Sequence, residues 1–83
     1  MTDKVKEAIE LLEGILNDRG VPRNIKSSIE ESMSTLNDPE ESENVKLSTV
    51  ISILDDASND PNISLYARTK MWDVVSKLEE LNR

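Results

Sequence analysis

Residues 58–72 read "SNDPNISLYARTKMW". Asn59, Asp60 and Pro61 mark the end of one helix, Asn62 or Ser64 is suited to cap another, and from Leu65 onward apolar residues return at helical spacing. The stretch is a turn followed by a helix start. "ND" also stands at 17 and 37, and eight residues beyond each of the three Asn come Ile25, Val45 and Ala67, followed at once by Lys26, Lys46 or Arg68. The intervals of 20 and 22 residues are each one helix plus one turn. Three such turns divide the 83-residue chain into four helices.

Working outward, Val5, Ala8, Ile9, Leu12, Ile15 and Leu16 form one stripe at about 100° per residue, with Glu7, Glu10 and Glu13 outside it. This predicts a helix over about residues 3–18. Thr2 or Asp3 is placed to cap it, Gly20 to take the left-handed conformation beyond its end, and Pro22 to open the next helix. The second helix, about 22–36, has a narrow stripe of Ile25, Ile29, Met33 and Leu36, interrupted by Ser28 and Ser32. Beyond "NDPEESEN", with Ser42 or Asn44 as cap, the third helix runs over about 44–58 through Leu47, Val50, Ile51, Leu54 and Ala57. The fourth, about 64–81, carries Ala67, Met71, Trp72, Val74, Val75 and Leu78. The repeat is similar to half of a two-helix HEAT-type unit, but two hairpins are too few for a capped solenoid. The expected fold is all-α: one domain over residues 1–83, a four-helix up-and-down bundle of two helical hairpins.

Composition limits the chemistry. A chain of 83 residues has room for one thin core. With no Cys and no His there is no disulfide, thiolate zinc site or imidazole base. Carboxylates are plentiful, yet they fall at outward positions or in turns, where nothing lifts a carboxyl pKa toward neutrality. The expectation is a non-catalytic protein without cofactor or metal. "MTDKVKEAIE" has no apolar run of signal-peptide length, and no membrane-length apolar segment occurs, so a soluble cytoplasmic protein is expected. The net charge is −7, and residues 1–63 carry 14 acids against 6 bases. Such a chain repels phosphate, which makes nucleic acid a poor partner.

The candidate binding residues lie at the starts of the second and fourth helices. Arg68 and Trp72 are one turn apart, so a cation–π pair is available. One reading makes Trp72, Arg68, Tyr66 and Arg23 an exposed hot spot for a protein partner. The other, which small bundles favour because they need the volume, puts a half-buried Trp72 in the core with Arg68 bonded to the acids of a neighbouring turn. Lys70 and Lys77 share a helical face with Asp73 and Glu80, so each base has an acid beside it. "DPEESEN" alternates Asp38, Glu40 and Ser42 but lacks the Gly and Glu that a calcium loop requires at its sixth and twelfth places, and reads as a solvated connector.

"SNDPNISLYARTKMWDVVSKLEEL", together with "LEGILNDRGVPRNIKSSIEE", resembles a family of small archaeal proteins classed as an uncharacterised protein family. The likeness covers nearly the whole chain and is most specific at "VPRNIK", Val21 to Lys26, and at "NDPN" followed by Leu65, Arg68, Thr69 and Trp72. The resemblance implies an archaeal cytoplasmic protein with a four-helix fold and implies no activity. Three roles are open to such a chain. It could be an interaction module presenting the starts of helices two and four, or a homodimer in which a second copy completes the thin stripe of helix two. The third is a nucleic-acid or ribosome accessory protein acting through helix four.

Overall fold

The structure is a computed structural model, and it describes residues 3–18 and 20–82. Four helices follow one another: α1 (Asp3–Leu16), α2 (Arg23–Leu36), α3 (Glu43–Ser58) and α4 (Leu65–Leu81). Each packs on its neighbours in the order α1, α2, α3, α4 and back to α1, so the up-and-down bundle of two hairpins is the observed fold.

The three "ND" turns share one construction. Asn37 and Asn59 are the C-caps of α2 and α3, and the Asn17 N–H donates to the Glu13 carbonyl at 3.1 Å. The following Asp then accepts, through its own Oδ1, the N–H two residues on: Gly20 to Asp18 at 2.8 Å, Glu40 to Asp38 at 2.9 Å, and Asn62 to Asp60 at 2.8 Å. These are Asx turns, in which a short carboxylate stands in for a backbone carbonyl. Four residues after each Asp stands the N-cap of the next helix: Pro22, Ser42 or Ser64. Ser42 Oγ accepts from the Val45 N–H at 3.3 Å and Ser64 Oγ from the Ala67 N–H at 3.1 Å. The Asp therefore does locally what Gly20 was expected to do, and no described glycine has positive φ. Pro22, at φ −60° and ψ 156°, caps α2 from outside rather than forming its first residue. Asp3 begins α1 as a helical residue, and Thr2 lies outside the described residues. The first helix stops at Leu16 because the Asx turn at Asp18 claims the chain.

The core is a heptad seam on every helix. It runs Val5, Ala8, Leu12, Ile15 on α1; Ile25, Ile29, Ser32, Leu36 on α2; Leu47, Val50, Leu54, Ala57 on α3; and Ala67, Met71, Val74, Leu78 on α4. The alternation of three and four residues is the pattern that lets nearly antiparallel helices interdigitate at about 20°. Ser32 occupies a seam position that sequence reading gave to Met33, which is only partly buried. Its hydroxyl is satisfied locally, donating to the Ser28 carbonyl at 2.9 Å, so a polar side chain is tolerated there. Val21 and Ile63, immediately before the N-caps of α2 and α4, are buried and close the same end of the bundle. The middle turn has Glu41 at the equivalent place, and there the near-repeat fails: Val45, counterpart of buried Ile25 and Ala67, is exposed.

Candidate functional site

The 59–64 turn fixes the start of α4 through Asp60. Besides the Asn62 N–H, its carboxylate accepts the side-chain amide of Asn24 at the start of α2, and its backbone carbonyl accepts Arg68 Nη2 at 3.2 Å. Arg68 is half-buried and braced against the backbone carbonyl of the turn before its helix, and among the described residues it is bonded to no side-chain acid. The cation–π contact of this helix is Lys70 over Tyr66, with Nζ 5.0 Å from the ring centroid.

Lys70 also joins α4 to the end of α1, its Nζ lying 2.9 Å from Asp18 Oδ2, so its acid is not the adjacent Asp73. Lys77 does pair within its own helix, 4.0 Å from Glu80. The hydrogen bond from Lys70, and next that from the Gly20 N–H, holds the Asp18 carboxyl below the usual carboxylate value. The same bond to Asp18, followed by the contact with Tyr66, raises Lys70. Both shifts favour the charged forms, which suits an ion pair and is opposite to what proton transfer near neutrality requires.

Trp72 is not core. It is 52 % exposed, and with Val45 at 47 %, Leu65 at 74 % and Tyr66 at 61 % it makes up the exposed large hydrophobic set of the described residues. All four lie on the second hairpin. The volume expected of Trp72 is supplied instead by Met71, fully buried one residue earlier. Leu65, Thr69, Trp72 and Ser76 recur at i, i+4, i+7 and i+11, one uncharged stripe on the outer side of α4. The polar contacts of α4 with its neighbours lie off this stripe: Lys70 reaches Asp18, and the Asn82 amide donates to Ser48 Oγ at 3.1 Å. On α3 the exposed face carries Val45, Ser48, Thr49 and Ser52 before Asp55 and Asp56. Consequently α3 and α4 are weakly amphipathic, whereas α1 and α2 are strongly so.

Of the four sequence-chosen residues, Trp72 belongs to this face, Tyr66 is exposed but turned about 120° from Trp72 toward α1, where Lys70 lies over its ring, Arg68 is committed to the turn, and Arg23 is exposed on α2, a helix of the other hairpin. Leu65 and Val45 were missed. The signal for them was a Leu at the first position of a helix and a Val out of register with its seam.

Clefts open at several places among the described residues. One, of about 660 Å³, lies between α2 and the end of α3 and includes Asn24, Ser28, Glu31, Asp56 and Asn59. Another, of about 600 Å³, lies at the end of α2 beside Glu31, Thr35 and Asp38. A smaller one, of about 230 Å³, lies between α1 and α4 over Gly14. Among the described residues no group of three or more acids is placed to hold a metal ion, and no helix is long and apolar enough to cross a membrane.

The model of the Uncharacterised protein family (UPF0147) matches residues 1–81. This chain belongs to the UPF0147 family. A UPF0147 protein of Methanothermobacter thermautotrophicus is 53% identical over 72 residues, 87% of this chain and 71% of its own length. One from Aeropyrum pernix is 43% identical over 76 residues, covering 92% and 84%. Two solved structures are similar. The crystal structure of a UPF0147 protein from Thermoplasma acidophilum has a TM-score of 0.86 at 34% identity, over 95% of this chain and 93% of that one. The crystal structure of the unknown-function protein MMP1188 has a TM-score of 0.84 at 40% identity, covering 93% and 88%. The resemblance to an archaeal family with a four-helix fold therefore holds.

Proposed function

We propose that this UPF0147 protein is a small non-catalytic interaction module of the cytoplasm, and that it docks a protein partner through the outer face of the α3–α4 hairpin. The observation that supports the reading is the pair Leu65 and Trp72, both exposed and seven residues apart on the outer side of α4. A bundle helix whose outer side faces only water gains nothing from apolar residues there, and large exposed aromatic and aliphatic groups that share a helix face mark contact sites. The perturbed ionisable groups support the absence of catalysis, since Asp18 and Lys70 are held in their charged forms by each other. Nucleic acid is disfavoured for the same reason, because the bases of α4 are occupied by Asp18, Glu80 and the Asp60 carbonyl. The homodimer completed at α2 is less favoured, since Ile25, Ile29 and Leu36 are covered within the single chain and Met33 is partly buried.

The test is site-specific photo-crosslinking in an extract of the source cells. A crosslinking side chain placed at Thr69, on the stripe, gives a discrete adduct with another protein, while the same group at Glu10 on α1 gives none. Equal labelling from both positions, or none from Thr69, would end the reading.

A further inference from the structure

We propose that the occupant of the α3–α4 face is a basic amphipathic helix of another protein, an inference that rests on the docking role just described. Leu65 and Trp72 lie seven residues apart, about 10.5 Å along the helix axis. That separation matches apolar side chains at i and i+7 of a helix laid alongside α4, the geometry by which amphipathic segments are read in grooves. A third helix seated over two antiparallel ones also repeats the packing already used within the bundle.

Charge selects among such helices. Asp55 on α3 and Glu79 on α4 are exposed, and among the described residues neither makes an ion pair. Asp56 and Asp73 are also exposed and unpaired there, but they line the α2–α3 and α1–α4 clefts on the two sides of this hairpin. The bases of α4 do not offset them. Lys70 is held by Asp18, Arg68 by the Asp60 carbonyl, and Lys77 lies beside Glu80. The face therefore joins an uncharged stripe to flanking carboxylates, on a chain of net charge −7. An acidic segment is repelled from it, and a second copy of this chain would bring the same carboxylates and the same net charge. Lys and Arg flanking an apolar seam meet the border with opposite charge, which sets both specificity and association rate.

Trp72 is the sole Trp of the chain, so its emission reports occupancy directly. The probes are three synthetic 18-residue helical peptides. The first has a Leu seam flanked by Lys and Arg, the second the same seam flanked by Glu, and the third the basic flanks with Ser in place of Leu. The expected result is a saturable blue shift with the first peptide alone, at micromolar concentration and weakening as salt is raised. Asp55→Lys with Glu79→Lys weakens that binding at least tenfold, whereas the same charge change on α1, Glu7→Lys with Glu10→Lys, weakens it less than threefold. Circular dichroism confirms that both variants keep their helices. Equal or tighter binding of the Glu-flanked peptide overturns the basic partner while leaving the docking face standing. Binding that survives the α3–α4 reversal, or that falls equally with the α1 reversal, overturns the assignment to this face. No saturable response to any of the three peptides also overturns the proposal, and the crosslinking experiment then judges the docking role independently.

Discussion

Replacing Trp72 by Ala distinguishes a surface anchor from a core residue in a single measurement. The ring is 52 % exposed, so about half of it is covered by the protein. A fully enclosed Trp buries about 200 Å², of which half is about 100 Å², worth about 2.5 kcal/mol at ~25 cal/mol/Å². A compact unfolded chain already hides roughly a quarter of that area, and Ala is the better helix former by about 0.5 kcal/mol. The net expected loss is about 1–1.5 kcal/mol. Met71→Ala, one residue away and fully enclosed, is expected to cost about 2–5 kcal/mol because it leaves a cavity between helices. The assay is urea unfolding followed by far-ultraviolet circular dichroism, since the fluorophore is removed. With a slope near ~1 kcal/mol/M for so small a chain, Trp72→Ala lowers the midpoint by about 1–1.5 M and Met71→Ala by ~2 M or more. A loss of ~3 kcal/mol or more for Trp72→Ala at unchanged slope, or a loss equal to that of Met71→Ala, refutes the exposed placement and with it the docking face.

The remaining expectations concern the turns and α1. Ser64→Ala and Ser42→Ala each remove an N-cap acceptor and are expected to cost about 1 kcal/mol by thermal or urea unfolding, the 3.1 Å bond of Ser64 more than the 3.3 Å bond of Ser42. Gly14→Ala is expected to stabilise by about 0.5–1 kcal/mol, because Gly14 lies inside α1 and a Cβ there meets nothing within 4 Å. The lowered Asp18 carboxyl contributes stability above its unfolded value, near ~3.9, that is lost as pH falls through its folded value. The raised Lys70 contributes below its unfolded value, near ~10.4, and that contribution is lost as pH rises through its folded one. The pair is therefore expected to act fully between about pH 5 and 9, and an NMR titration should find the Asp18 midpoint below that of an ordinary Asp and moved upward in Lys70→Met.

The helices and their order were legible because apolar residues at heptad spacing and "ND" turns are strong local signals. What sequence reading missed has particular causes. Ser32 was counted as an interruption since a hydroxyl normally seeks water, but its bond to the Ser28 carbonyl makes burial affordable. Gly20 was given a left-handed role that the Asp18 carboxylate performs without it. Trp72 was drawn toward the core by its size, yet the seam of α4 runs 67, 71, 74, 78, and a residue one step after Met71 is turned about 100° out of it. Arg68 and Tyr66 could be chosen as residues but not placed. Their partners, the Asp60 carbonyl and Lys70, follow from backbone geometry and from a contact to α1 that no local pattern encodes.

The docking face is built on the part of the bundle best suited to hold it still. α3 packs extensively on both α2 and α4, whereas α1 is joined less extensively to each of its neighbours and contains Gly14, a poor helix former. If stability is distributed as the packing is, local opening begins at α1, held to α4 at its far end by the Asp18–Lys70 pair, and leaves the α3–α4 hairpin intact. A surface that stays ordered when free binds without the entropic cost of ordering itself, which raises affinity for a given contact area. Native-state hydrogen exchange tests this: amides of α1 are expected to exchange at lower opening free energies than those of α3, and Lys70→Met should lower α1 further while leaving the centre of α3 unchanged. Exchange of α3 before α1 would mean that the apolar face belongs to the weakest hairpin, and a preformed docking surface would then be the wrong account of it.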